Sequence, residues 1–311
     1  MKYNETKNLS ISLFTLGTVQ LGMDYGLGDY TAKPSAEYAF EMLDTAMREG
    51  VNNLDTANNY GDSETVIGKW LSTKEANERP IITTKIGPMD RSSEQAFYND
   101  MLKQTEGCLK TLGVECIDIL MLHDYPDLVA YPDTVRRAFD ELKAQGKIKY
   151  SAVSVYSHND YGLVANSGLD AVQIPINIFD WEQIENGGIA ALNDSGMMVF
   201  ARSVFLQGLI FMKRENIDPR MDFCLPYLDK FHSLCCEFGM EPAVLAASFV
   251  LSLPGITSLV LGCQRTEHIV SNRELIDKTR KLTDGEMAKI REAFVNIDPR
   301  VINPRLWYNH T

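Results

Sequence analysis

Val51-Asn52-Asn53-Leu54-Asp55-Thr56-Ala57-Asn58-Asn59-Tyr60-Gly61 is the stretch on which the reading of this chain turns. Its apolar opening suits a short buried strand, and it then breaks into a polar loop. Helix signals follow at Asp62-Ser63-Glu64. A carboxylate and a phenol therefore stand five residues apart where a strand gives way to a loop. In repeated βα units such loops vary over a rigid sheet, and active sites are built there. Alone, the pair reads more readily as a turn cap and a rim-packing ring than as a site, so the rest of the chain has to decide.

Working outward, apolar strand-like runs alternate with amphipathic helical runs. Ile11 to Leu16 reads as a first strand, followed by the glycine-punctuated loop 17–22. Ser35 to Arg48 reads as a helix capped by Ser35, with Ala39, Leu43 and Ala46 on one face. Strand 51–54 and helix 62–72 follow, then strand 80–85 ending in Lys85 and helix 93–112. Strand 117–122 runs into His123-Asp124, and a helix spans 132–145. Strand 148–155, a short helix near 158–166, strand 171–175 and strand 197–201 lead to helices near 224–238 and 242–252. Strand 258–261, a helix from Thr266 and a late helix 283–296 precede an irregular tail. The βα unit recurs eight times, and its strands are near-continuously apolar, as in a parallel sheet covered on both faces. The pattern predicts an α/β fold, a single-domain (β/α)8 TIM barrel over residues 1–311, with 298–311 a C-terminal tail near the active site. A doubly wound open sheet is the alternative. It would carry a dinucleotide fingerprint after its first strand, and Gly22, Gly26 and Gly28 have the wrong spacing for one.

Composition narrows the function. The chain has 311 residues, 45% of them apolar, and a formal net charge of −12. Such a surface repels phosphate backbones, which argues against nucleic acid as a partner. No run of about 18 apolar residues occurs, which argues against a membrane span. The six cysteines form no C-x-x-C pair and no metal-ligand spacing, so reduced thiols in a cytoplasmic protein are expected. The glycosylation sequons at Asn8, Asn193 and Asn309 are then chance matches.

On a barrel, Asp55, Tyr60, Lys85 and His123 all fall at or just past the carboxyl ends of consecutive strands, which lie about 5 Å apart. They can converge on one pocket. Free tyrosine, with a pKa near 10, is a poor acid at neutrality. An adjacent ammonium lowers that pKa, and a carboxylate holds the ammonium. A histidine can orient a carbonyl oxygen. The set fits protonation of a carbonyl oxygen while hydride adds to its carbon.

At these residues the chain resembles the aldo-keto reductases. The match runs through Leu16-Gly17-Thr18, Leu54-Asp55-Thr56-Ala57 with Tyr60-Gly61, Thr84-Lys85, Leu122-His123, Val153-Ser154, Gln173, Arg202-Ser203 and Gly262 to Asn272, in order along nearly the whole chain. The resemblance implies a (β/α)8 barrel with NADPH extended across its C-terminal face, NADH being the alternative, and reversible reduction of an aldehyde or ketone to an alcohol. It implies Tyr60 as proton donor, Lys85 and Asp55 as the groups that tune it, and His123 as the orienter. Ser154 and Gln173 match residues that hold the nicotinamide carboxamide. The loop from Ser203 through Phe205 and Gln207 to Gly208 matches the pyrophosphate loop. Gly262, Gln264, Arg265 and Asn272 match the adenosine end, and Gly17, Thr18, Asp55 and Arg202 complete the cofactor set.

The chain departs from the family pattern in three places. Val155 stands where many members have asparagine. Arg202 stands where an aromatic ring often stacks on the nicotinamide. Gly262 stands where some members place a lysine at the 2′-phosphate, which leaves Arg265 as the expected cation there. The partner expected is a small carbonyl compound met by loops 23–35, 86–92, 124–132 and the tail, with Arg91, Arg300 and Arg305 as candidate contacts for an acidic group. A monomer or small homo-oligomer is expected, with no bound metal. Two other readings stand beside this one: a cofactor-binding regulatory or sensor subunit on the same barrel, and a metal-dependent barrel lyase or hydrolase, which the five scattered histidines argue against.

Overall fold

The computed structural model describes residues 1–25 and 32–307, and expectations resting on Gly26, Gly28, Tyr308, Asn309 and the Arg305 side chain lie outside what it describes. The chain opens with an antiparallel hairpin, β1 (Tyr3–Thr6) and β2 (Leu9–Ser12), turned at Lys7 and Asn8, both at positive φ. Eight parallel strands follow: β3 (Phe14–Gly17), β4 (Asn53–Asp55), β5 (Ile81–Ile86), β6 (Ile117–Leu122), β7 (Ile148–Ser154), β8 (Ala171–Pro175), β9 (Met198–Arg202) and β10 (Ile256–Gly262). They pair in chain order, and β10 closes on β3 through Leu259↔Phe14 to Gly262↔Gly17. The closed barrel is the fold expected from eight βα units. Its helices begin as their caps dictate: the Ser35 and Ser93 side chains accept from the amides of Tyr38 and Ala96, and Thr283 with Glu286 forms a capping box.

One boundary is corrected. Ile11 to Leu16 is two strands, because the chain leaves the hairpin after Ser12 and enters the barrel at Phe14. Apolar patterning does not reveal the break, since both segments are buried. The hairpin places Ile11 against Ile119, Met121, Ala152, Ala171, Met198 and Phe200, the inward side chains that fill the amino-terminal half of the barrel.

Alternation of side chains along each strand then fixes which residues face the axis. Above the apolar plug comes a polar belt. Thr83 Oγ1 donates to Asn53 Oδ1 (3.3 Å), Asn53 Nδ2 to Thr15 Oγ1 (3.1 Å), and Thr15 shares a 2.7 Å bond with Ser258. Two residues further along, the same parity turns Asp55, Lys85, Ser154, Gln173 and Arg202 toward the carboxyl-terminal face. Outside the barrel, Trp70, Phe97, Leu112, Phe139 and the helix Pro242–Ser252 bury the apolar outer sides of the strands.

Ile11 is fully buried at the base of the barrel. Ile11→Ala is expected to cost about 2–5 kcal/mol, the usual range for a truncated core aliphatic. Chemical denaturation of the two proteins measures it.

Candidate active site

Asp55 closes β4, and Lys85 stands one residue before the end of the neighbouring β5, in register with Thr83 opposite Asp55. The Lys85 ammonium is wholly buried. It donates to both Asp55 oxygens (2.8 and 2.7 Å) and to the Thr56 carbonyl (2.9 Å). Its next neighbour is the Tyr60 hydroxyl at 3.5 Å, the outer limit of a hydrogen bond. His123, just past β6, meets the Tyr60 ring edge-on with centroids 5.7 Å apart. The four residues expected to form the catalytic set are thus brought together.

Burial would push the Lys85 ammonium down, but the Asp55 carboxylate and the Tyr60 phenol reverse it and the net direction is up. Tyr60 differs from expectation. Burial pushes its phenol up. Lys85 and Arg202 pull it down and Asp55 pushes it up again, and the net direction is upward. The nearby cation is legible in residue spacing, but the desolvation that outweighs it here is not.

Backbone packing sets where Tyr60 sits. A Cβ on Gly22 would lie 1.8 Å from the Tyr60 carbonyl oxygen. Gly61 holds φ +56, and a Cβ there would lie 2.2 Å from the Gly22 oxygen. Only two glycines allow the turn after β3 to lie on the turn that carries the phenol. From the other side, Gln104 on the helix Glu94–Leu112 accepts from Asn58 Nδ2 (2.8 Å) and the Gly87 amide (2.9 Å). It ties the loop after β4 to the loop after β5. Nothing in the helical periodicity marked Gln104.

These groups stand at one end of a cavity of about 990 Å³ over the strand ends. Every expected cofactor residue lies on its wall except Arg265. Thr18 is buried and spends its hydroxyl on the Asp55 carbonyl and Ser63. Gln173 donates to Asp55 Oδ1 at 2.7 Å. The Arg202 guanidinium stacks on the Tyr156 ring at 4.9 Å and donates to the Val155 carbonyl (3.0 Å) and Ser203 (3.3 Å). In the loop beyond, Ser203, Leu206, Gln207 and Gly208 all have positive φ, and the Leu206 and Gly208 amides donate within the loop to the Ser203 and Phe205 carbonyls (3.0 and 2.9 Å). The tail contributes Pro299, Ile302, Asn303, Pro304 and Leu306 to the wall, while Trp307 is packing, fully buried with its indole N–H on the Arg300 carbonyl (2.9 Å).

Arg91 and Arg300, considered as contacts for an acidic substrate, are not on the wall. Arg91 is held by buried Asp127 (2.7 Å), and Arg300 by Asp298 while stacked on Phe223. The sequence reading missed Gln20, Tyr156, His158, Glu182, His268 and Ser271, which do line the cavity. His268 and Ser271 share a helix face with Asn272, and that periodicity was the available signal.

Lys85 and Asp55 are both buried, so Asp55→Asn leaves an ammonium without its counter-charge. A loss of about 3–5 kcal/mol in unfolding free energy is expected, measured by denaturant titration. Gly22→Ala is expected to displace the Tyr60 turn and cost about 1–3 kcal/mol, as overpacking does. Thermal melts compare it with the parent.

The comparisons agree with this geometry. The family model described as the aldo/keto reductase family matches residues 14–294. The chain is 31% identical to aldo-keto reductase str7 of Strobilurus tenacellus over 305 residues, 91% of this chain and 88% of that protein. It is 25% identical to 6-dehydroglucose reductase of Novosphingobium aromaticivorans over 255 residues, 76% and 80% of the two chains. Among solved structures, aldo-keto reductase AKR11C1 from Bacillus halodurans in its holo form superposes with a TM-score of 0.76 at 20% identity, over 97% of this chain and 100% of that one. With its fold, its strand-end residues and a match across most of its length in agreement, this chain belongs to the aldo/keto reductase family.

Proposed function

We propose that this oxidoreductase uses a nicotinamide dinucleotide to interconvert a small aldehyde or ketone and its alcohol, with Tyr60 as the acid. The observation that carries the reading is the Tyr60 hydroxyl beside a Lys85 ammonium that Asp55 holds with two hydrogen bonds. The wall from Asn272 and Gly262 past Gly17 to Gln173 and Ser154, with the loop Ser203–Gly208 beside it, suits an extended dinucleotide. A bound reduced nicotinamide supplies the hydride.

The protein's own part is proton placement. Raised by burial, the Tyr60 phenol keeps its proton through the neutral range, the form an acid catalyst needs. As it gives that proton to the carbonyl oxygen, a phenolate forms next to the Lys85 ammonium, and the charge that builds up is met by a cation already in position. Asp55 keeps that cation from turning away. His123, edge-on to the phenol, is within reach of the same oxygen and orients it. The reverse direction requires a deprotonated Tyr60, so alcohol oxidation is favoured as pH rises.

Tyr60→Phe removes the proton and leaves the ring. Turnover is expected to fall by 100-fold or more with dinucleotide affinity within threefold of the parent, read from nicotinamide absorbance on a carbonyl panel and from fluorescence titration. Unchanged turnover rejects Tyr60 as the acid. Tight dinucleotide binding with no turnover across the panel favours a regulatory subunit instead. The pH profile is a second check. Reduction is expected to hold level across the neutral range and decline only on the alkaline side, while oxidation climbs.

A further inference from the structure

The cavity's charge is placed unevenly. Among the described residues, Arg202 is the only arginine or lysine on its wall, and it stands at the Tyr60 end, where its field reaches the phenol. The far end is lined by Gly262, Gln264, His268, Ser271 and Asn272, with Gln20 laid across Gly262. A Cβ on Gly262 would lie 2.5 Å from Gln20 Nε2, so the amide side chain fills the space a longer residue at 262 would need. Arg265, the cation expected here, is not on the wall.

The start of the helix Thr266–Lys278 is not an open cradle of amides either. The Gln264 amide donates to His268 Nδ1 (3.4 Å), the Thr266 amide to Tyr38 Oη (3.3 Å) and the His268 amide to the Arg265 carbonyl (3.2 Å). Its first turn carries Glu267. Burial and the neighbouring Arg265 push the His268 imidazole below its ordinary value, so it is neutral near pH 7. What this end offers is neutral polar groups. Gln20 Oε1 is buried with no donor among the described residues, and the Gln264 and Ser271 side chains add further acceptors, while the His268 Nδ1 lone pair is taken by the Gln264 amide. A ribose 2′-hydroxyl can donate to such groups. A 2′-phosphate, with about −1.5 to −2 charges, brings only acceptors and finds no arginine or lysine on this part of the wall to pair with. Burying it there would carry a desolvation cost with no cation in direct contact to offset it.

Resting on the reading that the cavity binds a nicotinamide dinucleotide, we propose that it selects NADH over NADPH, and that neutral Gln264 is the residue that sets the choice.

Fluorescence or calorimetric titration of the full chain with NADH and with NADPH tests this without any turnover. NADH is expected to bind about tenfold more tightly. Gln264→Arg, which supplies a fork of donors for the phosphate, is expected to shift the NADPH-to-NADH affinity ratio tenfold or more toward NADPH. Gln264→Lys serves as the second variant should the first fold poorly by circular dichroism. Arg265→Ala is expected to leave the NADH-to-NADPH ratio unchanged. Parity or inversion of the parent ratio overturns the proposal, as does an Arg265→Ala variant that loses NADPH affinity alone. Failure of both dinucleotides to bind rejects the underlying reading of the cavity, which separates the two.

Discussion

The Lys85–Asp55 ion pair is the constraint on which the rest of this site depends. A wholly buried ammonium is tolerable only if a carboxylate and further acceptors surround it, and here both Asp55 oxygens and the Thr56 carbonyl do so. The pair costs stability relative to an apolar core, since two ions leave water. What it returns is a fixed positive charge beside the Tyr60 hydroxyl. Gln173, reaching across from β8 to Asp55, ties the far wall of the barrel to the same carboxylate.

The barrel makes such a pair affordable to build. Parallel strands set in register put Asp55 and Lys85 on adjacent staves, facing the same axis, two residues above the belt of Asn53 and Thr83. Below them the hairpin residue Ile11 and its neighbours seal the barrel from water. The polar face is thereby confined to one end, where loops are long and free to vary. Tyr60 is the exception, since it sits in a turn and not on a strand. Its position comes from two backbones approaching at Gly22 and Gly61, and from Gln104 bracing the loop on the opposite side.

Charge along the cavity is as specific as its shape. Two cations, Lys85 behind the wall and Arg202 on it, act on the phenol, while the wall by Gln264 and His268 carries no arginine or lysine among the described residues, Arg265 acting on His268 from off the wall. Of the loop and tail arginines considered for an acidic substrate, Arg91 is engaged with Asp127 and Arg300 with Asp298. A wall edged by exposed Met23, Tyr25, Phe211 and Leu306 is correspondingly apolar at its mouth.

Residue order by itself determined the eight βα units, because strand and helix periodicities differ and glycine, serine and proline punctuate them. It also determined that Asp55, Lys85 and His123 stand at or just past the carboxyl ends of successive strands, since parity and spacing are properties of the string. The break between Ile11 and Phe14 escaped it, as two buried segments share one apolar pattern. Only the tertiary structure decided the net direction of the Tyr60 phenol, the absence of Arg265 from the cavity wall and the part played by Gln104. Each of these depends on solvent exclusion or on contacts between residues distant in sequence, and neither is written in local pattern. Spacing names which groups can meet, and the three-dimensional packing sets their protonation and their partners.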